Sequence, residues 1–191
     1  GGRQLPHKDA NLLAQHARLF NYPPTSQIKT LADAGKLGIK TPFMSNSFAA
    51  YRGEALRATG GFPRHVILSE DMYVTAKMLI DGWKAAYEGS AVCRHSHNYS
   101  LREEFRRYFD IGVFQAREAW IYETFGGIGG EGMRYVKSEL KFLGPRRILW
   151  WPVSFVRNAL KLLAYKLSRQ EKRLPRGVKK KLGMYARYWD S

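Results

Sequence analysis

Cysteine is nearly absent from this sequence, acidic residues are scarce, and long apolar runs are missing. The single cysteine, Cys93, excludes an intrachain disulfide and fits a reducing compartment. There is no stretch of eighteen apolar residues, no signal peptide and no start methionine, so a spanning helix is not expected. The chain opens abruptly at Gly1-Gly2-Arg3-Gln4, and we expect a fragment of a longer protein. No internal repeat or low-complexity tract is found.

The shortage of acid leaves a large positive excess. Asp and Glu number 16 against 32 Lys and Arg, a net charge of +16. The excess is uneven: residues 141–191 hold 14 Lys and Arg against only Glu171 and Asp190, a net +12. Such a surface attracts polyanions, whether nucleic acid, anionic lipid or phosphate-bearing substrates. Charge alone does not choose among them. The sequence shows no zinc-finger spacing, RNP-like motif or helix-turn-helix pattern, which disfavours nucleic acid.

What is present suits a folded domain: 191 residues, 45% of them apolar. Leu12, Leu13, His16 and Phe20 have helical spacing and predict a helix over residues 9–20, stopped by Pro23-Pro24. Residues 41–51 read as loop then strand, and Gly60-Gly61-Phe62-Pro63 as a turn. Ser69 offers an N-cap with Glu70 and Asp71 in the first turn of a helix that Gly82 ends. Met72, Thr75, Ala76, Leu79 and Ile80 form its expected buried stripe. Residues 83–87 and 91–94 read as two short strands around a Gly89-Ser90 turn. Ser100-Leu101-Arg102-Glu103 has the capping-box pattern and predicts one long helix to about residue 125. Helices over residues 133–143 and 146–169 follow, the second with Leu149, Trp150, Val153, Val156, Leu160, Leu163 and Leu167 on one side. The expectation is an α/β portion over residues 1–100, with too few strands to close a good sheet alone, and a mostly helical, basic extension over residues 101–191.

Four constellations can carry chemistry. A carboxylate at a helix start, facing a cleft, can take the proton of a hydroxyl, which draws attention to Glu70 and Asp71. Acidic residues also suit the positive end of a helix dipole, and composition alone favours that simpler role. His95 and His97, two apart on a strand, face the same way and are of a type that ligates metal. No Cys or acidic partner stands near them at ligand spacing, so a structural role outweighs a metal site on residues alone. Arg106 and Arg107 are suited to gripping phosphate oxygens, or equally to an ion-pair face such as Glu103 with Arg107. Trp150-Trp151 beside Arg146-Arg147 reads as a membrane-interface helix or as an ordinary packing face.

Read in order, these motifs resemble a known family. Ser45-Asn46-Ser47-Phe48-Ala49-Ala50-Tyr51-Arg52, Gly60-Gly61-Phe62, Ser69-Glu70-Asp71, Gly82-Trp83 and Ala91-Val92-Cys93-Arg94-His95 resemble family 2 glycosyltransferases of the GT-A fold. Gly2-Arg3-Gln4-Leu5-Pro6, Arg18-Leu19-Phe20-Asn21-Tyr22-Pro23, His95-Ser96-His97, Arg106-Arg107-Tyr108-Phe109-Asp110-Ile111-Gly112 and Tyr188-Trp189 extend the likeness to the bacterial rhamnosyltransferase subgroup of surface-polysaccharide synthesis.

The resemblance implies an α/β fold: the C-terminal, acceptor-side part of a Rossmann-like GT-A domain, followed by a helical extension. It implies Asp71 as general base, with Glu70 in support. It implies a divalent metal (Mg2+ or Mn2+), with His95, which lies 24 residues past Asp71, as first candidate ligand and His97 as second. It puts Arg106 and Arg107 near a donor diphosphate, and Ser45, Asn46, Ser47 and Arg3 along the sugar and acceptor cleft.

The implied partners are a nucleotide-sugar donor (deoxythymidine-diphosphate rhamnose), a polyprenyl-diphosphate-linked glycan acceptor and an anionic membrane surface. The implied place is cytoplasmic, peripheral on the inner membrane face. The family's Asp-x-Asp motif has no counterpart in residues 1–24, so the chain alone is expected to be catalytically impaired. The competing reading is a basic module that binds nucleic acid or anionic membrane without catalysis.

Overall fold

The computed structural model describes residues 1–127 and 129–190. Its elements run β1 (Gly2–Leu5), α1 (Leu12–Asn21), β2 (Gln27–Lys29), α2 (Ala34–Leu37), α3 (Gly53–Ala58), α4 (Glu70–Ile80), β3 (Ala85–Arg94), α5 (Leu101–Arg117), α6 (Ala119–Phe125), α7 (Glu131–Leu143), α8 (Trp151–Ser168) and α9 (Arg176–Leu182), with short 3-10 turns between some of them. The chain forms two units. The first takes Gly1–Arg64, Ser69–Asn98 and Trp120–Phe142; the second takes His65–Leu68, Tyr99–Ala119 and Leu143–Ser191. The path therefore leaves the first unit near residue 98 and returns to it for Trp120–Phe142.

The first unit is built on a mixed three-stranded sheet in the order β1-β3-β2, with β1 parallel and β2 antiparallel to β3. The expected pair of short strands around Gly89-Ser90 is instead one continuous strand, β3. Gly89 is not a turn residue. A Cβ there would stand 1.9 Å from the Pro24 carbonyl oxygen, so the glycine lets a neighbouring segment close on the strand. Ser26 Oγ, which accepts from Gly89 N at 3.0 Å, completes that contact. Residues 41–51 form no strand; a 3-10 turn at Asn46–Phe48 interrupts them.

Helix α1 begins later than its periodicity suggests. Asn11 caps it by accepting from Ala14 N at 2.9 Å, and Leu13, Ala14 and His16 are buried. In α4 the buried face is Val74, Thr75, Ala76, Met78 and Leu79. Ile80, expected inside, is exposed, and Met72 is only half-buried. Val74 and Met78 pack with Ala55 of α3, and Tyr51, Leu56, Tyr73 and Trp83 close over them. Gly82 ends the helix at φ +87°, a conformation glycine adopts without strain.

In the second unit the capping box at α5 is present: Ser100 Oγ accepts from Glu103 N, and Ser100 N donates to Glu103 Oε2 at 2.8 Å. The long helix expected over residues 100–125 is broken at Glu118, whose backbone (φ −103°, ψ 44°) is not helical. The chain changes units directly after this break. The helix expected over residues 146–169 is also divided. Pro145–Trp150 forms a 3-10 segment, with Arg147 non-helical at φ −121°, and α8 starts at Trp151 with Pro152 in its first turn.

Helix α8 packs on α5 through small residues. Ser154, Ala164 and Ser168 are buried, and a Cβ on Gly112 would meet Ser168 Oγ at 1.8 Å. Glu104 of α5 receives Arg157 at 2.8 Å and Lys161 at 3.0 Å. The expected apolar stripe is only partly covered: Leu149, Val153, Val156 and Leu163 are exposed, and Trp150, Leu160 and Leu167 are half-buried. The end of the chain is tied back to α5. Asp110 Oδ2 accepts from Met184 N and Tyr185 N at 2.8 and 3.0 Å. Arg117 bonds buried Glu171 at 3.0 Å and lies over the rings of Tyr188 and Trp189.

Candidate active site

The start of α4 carries an unusual backbone. Ser69 has φ +60°, ψ +32°, and among the described residues it is the only non-glycine at positive φ. Its side chain makes no capping bond, contrary to the expected N-cap role. Left-handed backbone at a non-glycine costs roughly 1–2 kcal/mol and persists where surrounding structure enforces it. Here it delivers two acidic side chains, Glu70 and Asp71, to a neighbouring loop.

That loop is the Asn46–Phe48 turn. Asn46 N donates to Asp71 Oδ2 at 3.0 Å, and Asn46 Nδ2 donates to Glu70 Oε1 at 3.0 Å. Tyr51 OH donates to Asn46 Oδ1 at 2.8 Å. One asparagine thus clasps both carboxylates and is itself held by a tyrosine. Met72 N approaches Asp71 Oδ1 at 2.8 Å. Each carboxylate oxygen has two lone pairs, so these bonds orient Asp71 and leave capacity to accept a hydroxyl proton. Burial pushes the Tyr51 phenol well above its usual range, and the Asp71 charge adds to that. Tyr51 is therefore a fixed donor and not an acid in this site.

The histidines stand beside the same turn. His95 Nε2 is 3.2 Å from Ser47 Oγ, and the His95 and His97 rings meet edge to face at 4.6 Å. Burial lowers the His95 pKa from its ordinary value, helped by the positive charge of Arg18 and by His97 and His7. The imidazole is neutral at pH 7. Gln4, fully buried, links the remaining pieces: it donates to Ser45 Oγ at 2.9 Å and accepts from Arg18 at 2.7 Å. Arg3 is turned toward the Tyr22 carbonyl, at 3.3 Å.

Glu70, Asp71, Asn46, Ser47 and His95 are thus gathered around one turn, with His97 against His95 and Ser45 held by Gln4. Arg106 and Arg107 belong to the second unit. Arg106 donates to the carbonyls of Lys181 and Lys180, and Arg107 to Tyr185 OH at 3.2 Å. Sequence reading did not single out Gln4, Arg18 or Tyr51 as site residues. Arg18 and Gln4 stood in the motif set without a role, and Tyr51 stood inside the run from Ser45 to Arg52; only the long-range bonds give them one.

Among the described residues no group of three or more His, Cys, Asp or Glu side chains can hold a metal ion. His95 and His97 offer two imidazoles without a third ligand, under the positive charge of Arg18. Among the described residues this set does not complete a divalent site. A hollow of about 190 Å³ lies behind the clasp, lined in part by Gly1, Tyr51, Thr75 and Trp83. A larger one of about 510 Å³, between Ala34–Lys40 residues and the Glu123–Arg134 segment, contains none of the expected residues.

A carboxylate held by the same turn as a histidine of lowered pKa is an arrangement suited to proton abstraction from an acceptor hydroxyl. Similarity to known proteins falls in the class that does this, the glycosyltransferases. Along its whole length the chain is 54% identical over 190 residues to the O-antigen chain rhamnosyltransferase RfbN of Salmonella typhimurium. It is 52% identical over 190 residues to the O-antigen chain rhamnosyltransferase WbaN of Salmonella anatum. The chain spans about 60% of the length of each of these curated relatives. No protein-family model matches the chain, and no solved structure matches it.

Proposed function

We propose that this chain is part of a glycosyltransferase that transfers rhamnose from a nucleotide-sugar donor to a growing O-antigen glycan, with Asp71 as the general base. The donor is deoxythymidine-diphosphate rhamnose and the acceptor glycan is carried on a polyprenyl diphosphate. The fold reading that goes with this is the acceptor-side part of a GT-A domain of family 2. The observation that carries the chemistry is the clasp: a strained Ser69 presents Asp71, and Asn46 fixes its direction.

The acceptor hydroxyl gives its proton to an Asp71 carboxylate oxygen as its own oxygen bonds to the anomeric carbon. The bond from that carbon to the diphosphate oxygen breaks on the opposite face, which inverts the centre. Neutral His95 and Ser47 line the approach, and Glu70, held through Asn46, keeps the turn in register. Arg106 and Arg107 are the proposed diphosphate partners, and a divalent metal on His95 belongs to the same reading, with further ligands from outside this chain. The enzyme works at the cytoplasmic face of the inner membrane, where a lipid-linked acceptor is presented.

The test is Asp71→Asn in the full-length protein. Its amide keeps the Asn46 contact but cannot take a proton. Turnover is expected to fall by roughly 10²–10⁴-fold, with donor affinity little changed. Turnover within a few-fold of the unmodified enzyme removes Asp71 from the role.

A further inference from the structure

Helix α8 is built with its apolar side outward. The side against α5 carries buried Ser154, Ala164 and Ser168, together with the ion-paired Arg157 and Lys161. The opposite side presents Phe155, Val156, Leu162 and Leu163, each between 49% and 56% exposed. With Ala159 between them, these residues recur at the spacing of a single helical face. Surface helices of globular proteins are ordinarily arranged the other way round. Leu149, at 86% exposure, extends the strip past the N-terminal end of the helix. Contiguous apolar surface of this kind marks a contact with something less polar than water.

Charge selects the occupant. Exposed Arg146 stands at one end of the strip, and exposed Lys166, Arg169, Lys172 and Arg173 stand at the other. The acids of the segment do not offset them: Glu171 is buried against Arg117 and Lys179, and Asp190 is engaged by Arg176 and Lys180. An apolar strip flanked by charge of one sign is complementary to an anionic lipid surface, where side chains enter the acyl boundary and cations reach headgroup phosphates. Among the described residues no helix is long and apolar enough to cross a membrane, so α8 is suited to lie in the plane.

We propose that α8 is an in-plane docking helix for anionic phospholipid, with residues 155–163 as its inserted face and the flanking Lys and Arg as its headgroup contacts. The proposal rests on the transfer reading for its purpose, because it supplies the surface on which a lipid-linked acceptor is met. Its test involves no sugar transfer, so either reading can fail while the other stands.

The experiment is flotation of the 191-residue chain with vesicles of phosphatidylglycerol and phosphatidylethanolamine, against pure phosphatidylcholine, at ~0.15 M salt. The chain is expected to float with the anionic vesicles only. Phe155→Asp with Leu162→Asp is expected to weaken binding at least about tenfold, with thermal unfolding unchanged because both residues face outward. Arg169→Glu with Arg173→Glu is expected to weaken it about tenfold and to flatten the salt dependence. Absence of binding to anionic vesicles overturns the proposal, and so does equal binding by the Phe155/Leu162 variant. Sedimentation showing that the chain self-associates through this face, with no flotation, assigns the strip to a second copy and overturns it as well.

Discussion

At the scale of single residues, Ser69 and Asn46 decide whether Glu70 and Asp71 form a site or merely decorate a helix end. Ser69 was legible as the residue before a helix, and its hydroxyl suggested a cap. Its left-handed backbone was not legible, because φ is set by what the loop on either side must reach. Asn46 and Ser47 were legible as cleft residues only through family resemblance; the clasp spans 25 residues to Asp71, and no local spacing encodes it. A β-branched side chain is poorly accommodated at positive φ, so Ser69→Val is expected to destabilise the chain by about 1–2 kcal/mol. Ser69→Gly is expected to be close to neutral, since relief of strain offsets added freedom in the unfolded chain. Urea unfolding of both variants checks this. If Ser69→Val is as stable as the unmodified chain, the backbone there is not strained and its link to the site is lost.

At the scale of elements, periodicity located most helices but misjudged where they end and which side they bury. The α5–α6 break at Glu118 has no glycine or proline to announce it. The two-strand reading of β3 took Gly89 for a turn when its missing Cβ serves a close approach. In α8 the apolar stripe was legible as a pattern, yet its partner was not, since Gly112 and Ser168 let the polar side pack instead.

Asp110 shows what such packing does to chemistry. Burial raises its carboxyl to about 6 from an ordinary 3.8, although Met184 N, Tyr185 N and the Arg106 and Arg107 charges all pull the other way. Between those two values the folded chain holds a proton that the unfolded chain has released. The stabilisation from this group is therefore complete below about pH 4 and lost as pH rises through 6, a change of about 2–3 kcal/mol. Asp110→Asn keeps an acceptor for the two N–H groups and has no proton to lose. Its stability relative to the unmodified chain is expected to climb by that amount from pH 4 to 6.5, measured by denaturant unfolding at each pH. A difference that stays flat across the range refutes the buried-acid account.

At the scale of the whole molecule, the charge totals were fully legible, but where the cations stand was not. With 32 Lys and Arg and 16 Asp and Glu, a net charge of +16 is left uncompensated, whatever the fold. Exposed pairs such as Arg176 with Asp190 contribute little, and salt weakens them. Repulsion among the surplus cations acts over a Debye length of about 10 Å at 0.1 M salt, and it is concentrated in residues 141–191, where the net charge is +12. Screening therefore removes more repulsion than attraction. Thermal stability at pH 7 is expected to rise as salt increases from ~0.02 to ~0.3 M, by roughly 2–4 °C for each kcal/mol of repulsion relieved. Scanning calorimetry over that series is the check. A melting temperature that falls with salt would mean that the ion pairs around Glu104 and Glu171 outweigh the surplus, and that the basic quarter of the chain is held together by its few acids rather than strained by its many cations.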